Sequence, residues 1–201
     1  MLQVLKSPWK TLQQLTAINY GTFRGWVRSF LAHVEWVIGR LDRFVVVQPK
    51  SVKRLVFVCL GNINRSAFAE AVAGTLGAHA CSLGLATTTG APAFETAVTT
   101  AQRLGIDLLE HAATDLSDFS YRPGDLLLTM EIRHVHRLIE NGIPAEAIAL
   151  LGAWSNPRRL HLHDPALQSE DYFMTCFVLI HSATINLVGV LRAGGSPCVQ
   201  P

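Results

Sequence analysis

Chemistry is concentrated in a short segment in which a cysteine, an arginine and a serine follow one another closely. Five residues separate Cys59 from Arg65, and Ser66 follows the arginine directly. The guanidinium group of arginine is a planar fork that matches two phosphate oxygens, and a cysteine thiolate is a strong nucleophile. The spacing therefore predicts a phosphate-binding loop that stabilises Cys59 as a thiolate, with Ser66 donating a hydrogen bond to the sulfur.

The residues around this segment are typical of a loop that joins a strand to a helix. Residues 55–60 are a short apolar, β-branched run, and residues 66–76 have helical composition. Such a loop can direct backbone N–H groups inward, and the helix N-terminus adds partial positive charge. We expect Gly61 to permit a tight curl of the backbone and Asn62 to hold its shape through side-chain to backbone bonds. The predicted phosphate-binding residues are Leu60, Gly61, Asn62, Ile63, Asn64, Arg65 and Ser66.

From residue 53 onwards, the pattern alternates strand with helix. The predicted strands are 55–60, 80–85, 125–130 and 147–154, and the predicted helices are 66–76, 95–104, 133–140 and 172–192. This alternation favours an α/β fold, namely a doubly wound, four-stranded parallel sheet with helices on both faces. In such folds, ligands bind beyond the carboxyl ends of the strands, beside a topological switch point. The loop after the first strand lies at that end of the sheet.

A basic, amphipathic segment precedes this region. Residues 1–54 carry a net charge of +7, whereas the remainder carries −5. Apolar residues recur at helical spacing from Phe23 to Leu41, which predicts one long amphipathic helix. We therefore divide the chain into a helical extension at 1–50, an α/β domain at 51–195 and a tail at 196–201.

The use of this extension is open between three alternatives. We favour packing of its apolar stripe against the α/β domain or self-association with a second copy, and residues 20–43 also suit peripheral contact with a membrane surface. The basic residues form no dense patch beyond residues 50–54, so the sequence does not favour binding to nucleic acid. The run at 173–191 contains polar residues and is expected to be a buried helix, not a membrane span.

Composition and cysteine spacing restrict the class of protein further. Hydrophobic residues make up 49% of the chain and charged residues 16%, which excludes a disordered protein. The four cysteines form no CxxC pair and are expected to be reduced thiols in the cytoplasm. Pairs of histidines at 134 and 136 and at 161 and 163 lack further ligands at the usual spacing, so we interpret them as surface or loop residues.

The segment FVCLGNINRSAFAEAV resembles the signature of the low-molecular-weight protein tyrosine phosphatases, whose usual form is VCxGNxCRSPxAE. Further family motifs follow in order, among them Ser82–Gly84, Gly105–Leu108 and Asp164-Pro165. The resemblance covers about residues 53–193, which is essentially the whole domain of that family.

The resemblance implies a cysteine-dependent phosphatase that needs no metal or cofactor. Its substrate would be a phosphotyrosine-containing protein, and Cys59 would attack phosphorus to form a phosphocysteine. Arg65 and the loop amides would stabilise the equatorial oxygens, and Asp164 would protonate the leaving phenolate and then activate water. Bacterial members often oppose tyrosine kinases of polysaccharide export, which suggests such a kinase as the partner.

The chain departs from the family pattern around this loop. Asn64 stands where many members carry a second cysteine, so we expect this chain to lack the disulfide that this cysteine can form with the nucleophile. Cys81 is a less favoured substitute, and we interpret it as a buried structural thiol. Thr87–Thr89 replace an aromatic residue of the pocket wall, and Glu131 stands where aspartate is usual. These changes leave open a non-catalytic phosphotyrosine-binding adaptor. An arsenate reductase is less favoured because it needs two further cysteines.

Overall fold

The computed structural model describes residues 8–45, 47 and 51–194, and these form an α/β fold with an N-terminal helical extension. The strands are β1 (Arg54–Cys59), β2 (Ala80–Gly84), β3 (Asp125–Thr129) and β4 (Ile148–Leu150). The helices are α1 (Pro8–Tyr20), α2 (Phe23–Val37), α3 (Arg65–Thr75), α4 (Glu95–Arg103), α5 (Ile132–Glu140) and α6 (Glu170–Ala193). The predicted tail at 196–201 lies outside the described residues.

The four strands form one parallel sheet, as the sequence predicts, and their order is β2-β1-β3-β4. The connection from β1 to β2 runs towards one edge of the sheet, and that from β3 to β4 runs towards the other. Because such crossovers are right-handed, α3 and α5 lie on opposite faces. The chain therefore reverses direction between β1 and β3, and the loops that follow these two strands open a crevice at the carboxyl end of the sheet.

The fourth strand is shorter than predicted. It ends at Leu150, and the apolar run continues as a buried 3-10 turn at Leu151–Trp154. A Cβ atom on Gly152 would lie 1.9 Å from the carbonyl oxygen of Arg159, so the backbone folds back closely on a later segment here. The run is apolar because the turn is buried, and burial alone does not specify extended backbone.

Helix α6 forms much of the core. By length and composition alone it could cross a membrane. Its inward side chains are buried against α3 and the 3-10 turn at Leu151–Trp154, however, and the ring of Phe177 stacks on that of Phe68 with centroids 4.1 Å apart. Ser169 caps its first turn by accepting a hydrogen bond from the backbone of Tyr172. α6 is therefore a core helix, in agreement with the sequence analysis.

The extension consists of two helices instead of the single long helix that was predicted. Gly21, with φ of 75°, separates α1 from α2, and the side chain of Thr22 caps α2 by accepting from the N–H of Gly25. Helix α2 ends at Val37, short of the predicted Leu41. Side chains that follow it, including Phe44, join the core of the α/β domain, so the extension is packed on the domain.

The extension packs on the domain, which is one of the arrangements we favour, but most of its apolar stripe does not take part in this packing. The residues that α2 buries are Gly25, Ala32 and Trp36, and Trp36 receives the guanidinium group of Arg158 over its ring at 4.6 Å. The stripe lies on the opposite side of the helix and is exposed. We call this side the outer face of α2, and it consists of Phe23, Trp26, Phe30, Leu31, Val34, Val37 and Ile38. Gly25 and Ala32 are small, so the side of the helix that carries them can approach the domain closely, and this side faces inward.

Candidate active site

Cys59 is the last residue of β1, and its sulfur lies at the base of the loop that leads into α3. The thiol is buried, and its Sγ lies 2.9 Å from the hydroxyl oxygen of Ser66. The backbone N–H of Asn62 also donates to Sγ, at 3.2 Å. Hydrogen-bond donors at these two positions stabilise a thiolate, as does the N-terminus of α3. The predicted contact between Ser66 and the sulfur is therefore present.

The carbonyl groups of the loop are held by neighbouring segments. The carbonyl of Leu60 accepts a hydrogen bond from the N–H of Ala86, and that of Ile63 accepts from the N–H of Phe94. The carbonyl of Asn62 accepts from the ring of His111 at 2.7 Å. In a planar trans peptide, the N–H group points away from the carbonyl. With these carbonyls turned outward, the N–H groups of the following residues face the inside of the loop, where an anion would bind.

Asn62 connects the loop to three surrounding segments. Its side-chain amide donates to the hydroxyls of Ser66 and Ser82, at 2.9 and 2.7 Å, and its side-chain oxygen accepts from the N–H of Thr114. Asn62 is also the residue with left-handed backbone, at φ of 51°, a conformation that asparagine tolerates. We expected Gly61 to supply the unusual backbone angle, and this is wrong because Gly61 lies outside the left-handed region.

Arg65 is the first residue of α3, and its side chain is buried between two carboxylates. Nη1 donates to Glu131 at 2.7 Å and to the carbonyl of Leu162 at 2.8 Å, while Nη2 donates to Asp164 at 2.7 Å. Burial lowers the pKa of Arg65, but the charges of Asp164 and Glu131 outweigh it and raise the pKa above its usual value. Within the described residues, Nε has no hydrogen-bond partner, so this buried donor remains to be satisfied by an acceptor.

Asp164 lies beside Arg65 on the loop that precedes α6. Its Oδ2 accepts from Arg65, and its Oδ1 accepts from the N–H of Ala166 at 3.2 Å. The side chain is 29% exposed, so one side of the carboxyl group reaches solvent. The N–H of Leu162 bonds to the carbonyl of Met130, which anchors this loop at the end of β3. The structure thus brings Cys59, Arg65 and Asp164 together at the switch point.

The sequence analysis missed the role of Glu131 in this arrangement. Glu131 lies two residues after the end of β3 at the switch point, and its carboxylate is fully buried between Arg65 and Arg133. Burial alone would raise the pKa of Glu131, but the charge of Arg65 and the nearby rings of His134 and His161 outweigh burial. The pKa is therefore lowered to about 2. Its position directly after a predicted central strand was the available signal. Glu131 fixes the guanidinium group from behind, opposite the side on which an anion would bind.

His134 is neither a surface nor a loop residue, which corrects our expectation, whereas His161 lies in a loop as expected but is buried. His134 and His161 are buried on either side of Glu131, each with a ring nitrogen 3.8 Å from its carboxylate. Burial lowers their pKa values to about 3 and about 4, so both rings are neutral at pH 7. In the part of the chain that the structure describes, no group of three His, Cys, Asp or Glu residues could hold a metal ion.

The extension contacts the segment that carries Asp164. The ring nitrogen Nε2 of His163 lies 3.3 Å from the hydroxyl of Thr22. A Cβ atom on Gly25 would lie 3.1 Å from the same ring, so glycine allows α2 to approach closely. The guanidinium group of Arg159 stacks on Tyr20 at 4.0 Å and donates to the carbonyl of Asn19. Through these contacts, α1 and α2 support the loop from the side away from Cys59.

The wall of the site contains Thr87–Thr89 in place of the aromatic residue that is usual in the family. Thr87 and Thr89 bond to the carboxylates of Asp115 and Asp118, which fixes the segment where the family has an aromatic residue. Beyond Asp164, Leu167 is 96% exposed and adopts a left-handed backbone at φ of 62°. An exposed leucine in this conformation is unusual, and Leu167 marks the tip of the loop that carries Asp164.

Cys81 cannot take the place of the missing second cysteine. Cys59 is paired in register with Gly84, and Cys81 lies three residues earlier on β2. Three residues of a strand span about 10 Å, beyond the Cα separation of a disulfide. Cys176 is buried, and burial raises its pKa to about 12, which makes it a poor thiol for redox relay. These positions argue against the arsenate reductase alternative.

Comparisons with known proteins agree with this geometry. Residues 54–195 match the low molecular weight phosphotyrosine protein phosphatase family. The chain is 30% identical to a probable low molecular weight protein-tyrosine-phosphatase, AmsI of Erwinia amylovora, over 70% of this chain and 98% of that one. It is 31% identical to Wzb of Escherichia coli K12, over 69% and 95% of the two chains. A structure of Vibrio vulnificus Wzb with benzylphosphonate superposes with a TM-score of 0.59 at 27% identity, covering 69% of this chain and 98% of that one.

Proposed function

Because the chain belongs to the low molecular weight phosphotyrosine protein phosphatase family, we propose that it hydrolyses phosphotyrosine in proteins through a phosphocysteine on Cys59. The observation that carries this proposal is the position of the Cys59 sulfur. It lies at the N-terminal end of α3, under a loop whose amides face inward, and beside the buried guanidinium group of Arg65. These are the groups that bind a phosphoryl group and stabilise the negative charge of its transition state.

The first step transfers the phosphoryl group to sulfur. The phosphate binds to the loop amides and to Arg65, where it satisfies Nε and replaces Asp164 at Nη2. The Cys59 thiolate attacks phosphorus, the bond between phosphorus and the phenolic oxygen breaks, and Asp164 donates its proton to that oxygen. Throughout, Glu131 holds Nη1, so the guanidinium group keeps its orientation while its other partners change.

The second step hydrolyses the phosphocysteine. Asp164, now a carboxylate, accepts a proton from water, whose oxygen attacks phosphorus. The sulfur–phosphorus bond breaks, inorganic phosphate leaves, and the Cys59 thiolate is regenerated. Ser66, which contacts Sγ at 2.9 Å, stabilises the thiolate as a leaving group. Neither step as written requires a metal ion or a cofactor.

The physiological substrate is proposed on family grounds. Relatives such as Wzb and AmsI are protein-tyrosine-phosphatases by name, and the substrate we propose here is a cytoplasmic tyrosine kinase of polysaccharide export. The catalytic unit we propose is the domain at 51–195, with the extension at 1–50 as a supporting element of the loop that carries Asp164. What the outer face of α2 contacts is a separate proposal.

The test is hydrolysis of p-nitrophenyl phosphate across about pH 4.5–8. We expect turnover to be highest in mild acid, Cys59→Ser to be inactive, and Asp164→Ala to lose about 10²–10⁴-fold in kcat. Cys81→Ser and Asp171→Ala are matched controls, since they remove the same groups from positions outside the site, and both should retain wild-type turnover. A phosphotyrosine peptide should follow the same order of variants.

The alternative of a non-catalytic adaptor gives a different result. A folded wild-type protein that binds vanadate or phosphate through the loop without turnover would replace the enzyme proposal with the adaptor. Turnover that survives Cys59→Ser would instead remove Cys59 as the nucleophile. Arsenate reduction that depends on thioredoxin would favour the reductase, against which the positions of Cys81 and Cys176 already argue.

A further inference from the structure

The outer face of α2 exposes large apolar side chains in a continuous row. Phe23 is 70% exposed, Phe30 is 56% exposed, and Trp26 is stacked between them with ring centroids 5.6 and 6.1 Å apart. Leu12 of α1, also exposed, extends the apolar surface across the groove between the two helices. A contiguous exposed patch of this kind on a folded domain marks a surface that another phase or molecule covers.

The charges around this face indicate what covers it. Residues 8–45 contain five Lys or Arg, and of these Arg24 and Arg40 are exposed in α2 and shortly after it. Arg28 instead lines the groove between α2 and the domain, and Arg43 stacks on Phe44. The only acidic residues between Pro8 and Val45 are Glu35 and Asp42. An amphipathic helix that lies in a membrane interface combines an apolar face that includes tryptophan and phenylalanine with arginine or lysine at its border. We propose that the outer face of α2 docks this protein on an anionic lipid surface, with the helix axis in the plane of the membrane.

A second copy of the chain fits the same face less well. Two outer faces packed together would bury the apolar row, but they would also bring together residues 8–45 of both copies, and this segment carries a net charge of +3 in each copy. Each copy would contribute two nearby carboxylates at most, so the positive charges would be left largely uncompensated. An anionic bilayer provides a negative charge for each of them. Charge therefore decides in favour of lipid.

Docking through this face leaves the catalytic groups as they are. The residues that α2 turns towards the domain are Gly25, Ala32 and Trp36, and the contact with the loop of Asp164 comes from Thr22 and Gly25. Residues of the outer face lie on the opposite side of the helix. Substitutions on this face should therefore change lipid binding without changing turnover of a soluble substrate, which separates this proposal from the proposed function.

The experiment is co-sedimentation of the full chain with vesicles of phosphatidylcholine alone or of phosphatidylcholine with phosphatidylserine. We expect binding to the anionic vesicles at low salt, and loss of most of it near 1 M salt, where the Debye length falls to about 3 Å. Phe30→Ser should weaken binding at least about tenfold, since burying a phenylalanine side chain contributes that much or more. Arg24→Glu with Arg40→Glu should weaken it at low salt only.

The matched control is Leu109→Ser, which removes an exposed leucine from the α/β domain and should leave vesicle binding unchanged. All variants are compared by turnover of p-nitrophenyl phosphate to show that they are folded. Absence of wild-type binding to anionic vesicles at low salt would overturn the proposal. The mass measured by light scattering tests self-association, the other explanation for this face. If the wild type is a dimer that Phe30→Ser converts to a monomer, and no vesicle binding is found, the face is assigned to self-association.

Discussion

The phosphate-binding loop and helix α2 lie on either side of the segment that carries Asp164, and they are stabilised in different ways. In the loop, the side chain of Asn62 bonds to three separate segments, and the carbonyls of Leu60 and Ile63 are held by two more. Helix α2 makes few polar contacts and is fixed by the burial of Trp36 and two small residues, while its large apolar side chains face outward. A polar network therefore determines the shape of the loop, whereas packing of one face positions the helix.

The largest expected effect comes from breaking the network of the loop. Asn62→Ala removes three side-chain hydrogen bonds, leaves the N–H of Thr114 without this acceptor, and places alanine in left-handed backbone. We expect a loss of about 4 kcal/mol in the free energy of unfolding, since each of the three hydrogen bonds contributes about 1 kcal/mol and the backbone adds about 1. Urea denaturation measures it. Asn62→Gly, which accepts the backbone angle, should recover about 1 kcal/mol of the loss.

A stability of Asn62→Ala within about 0.5 kcal/mol of wild type would contradict the network. In that case the shape of the loop would come from the backbone bonds of Leu60 and Ile63 alone. Asn141, an exposed asparagine at the end of α5, is the matched control. Its replacement by alanine should change the stability by less than about 0.5 kcal/mol.

Much of the loop could be predicted from the sequence because the residues that form it are close together in the chain. A buried strand, a glycine–asparagine curl and a helix N-terminus are adjacent in the chain, so the positions of Cys59, Arg65 and Ser66 follow from one another. The placement of Asp164 needed the family resemblance, since Asp-Pro alone indicates only a turn. The cluster of Glu131 with His134 and His161 escaped prediction because folding, and not sequence spacing, brings its members together.

The direction of α2 could not be predicted from its periodicity. An apolar stripe at helical spacing identifies one side of a helix, but it does not say whether that side meets the domain, a second copy or lipid. Gly25 lies on the side that meets the domain, where an added Cβ atom would lie 2.1 Å from the carbonyl oxygen of Tyr20 and 3.1 Å from the ring of His163. Helix α1 was not predicted at all, because its composition has no clear apolar face. The extension is therefore where sequence reasoning was weakest.

The second prediction compares two tryptophans of the same helix. Trp36 is 6% exposed on the inner side of α2, and Trp26 is 40% exposed on its outer face. We expect Trp36→Ala to cost about 3 kcal/mol in the free energy of unfolding, as for other large residues removed from a core. Trp26→Ala should cost less than about 1 kcal/mol, the contribution of its stacking on the two phenylalanines. Equal losses for both variants would contradict the orientation of the helix.

The third prediction concerns the buried charge of the site. Arg65→Lys retains the positive charge but loses the planar fork that contacts Glu131, Asp164 and the phosphate together. We expect kcat/KM for p-nitrophenyl phosphate to fall about 10²–10³-fold, as when one donor to transition-state oxygens is removed. Arg133→Lys is the control, because Arg133 also contacts the carboxylate of Glu131 but has an exposed side chain. Its kcat/KM should change by less than about threefold, that is, by about 0.6 kcal/mol.

The smallest expected effect is a dependence of stability on pH that arises behind the active site. Burial, with the charge of Arg65, lowers the pKa of His134 from its ordinary 6.5 to about 3, although Glu131 opposes this. The unfolded chain therefore takes up a proton below pH 6.5 that the folded protein does not, and the free energy of unfolding decreases as the pH falls from 6.5 towards 3. At pH 5 the contribution from this one residue is about 2 kcal/mol, at 1.4 kcal/mol for each unit of pKa.

Urea denaturation at pH 7 and pH 5 measures this decrease in the free energy of unfolding. The decrease should be smaller by about 2 kcal/mol in His134→Asn than in wild type. It should be unchanged in the control His136→Asn, whose side chain is exposed. If His134→Asn retained the full decrease, the ring would have to be charged in the folded protein, and the buried cluster around Glu131 would be an ion network instead of a neutral support for Arg65.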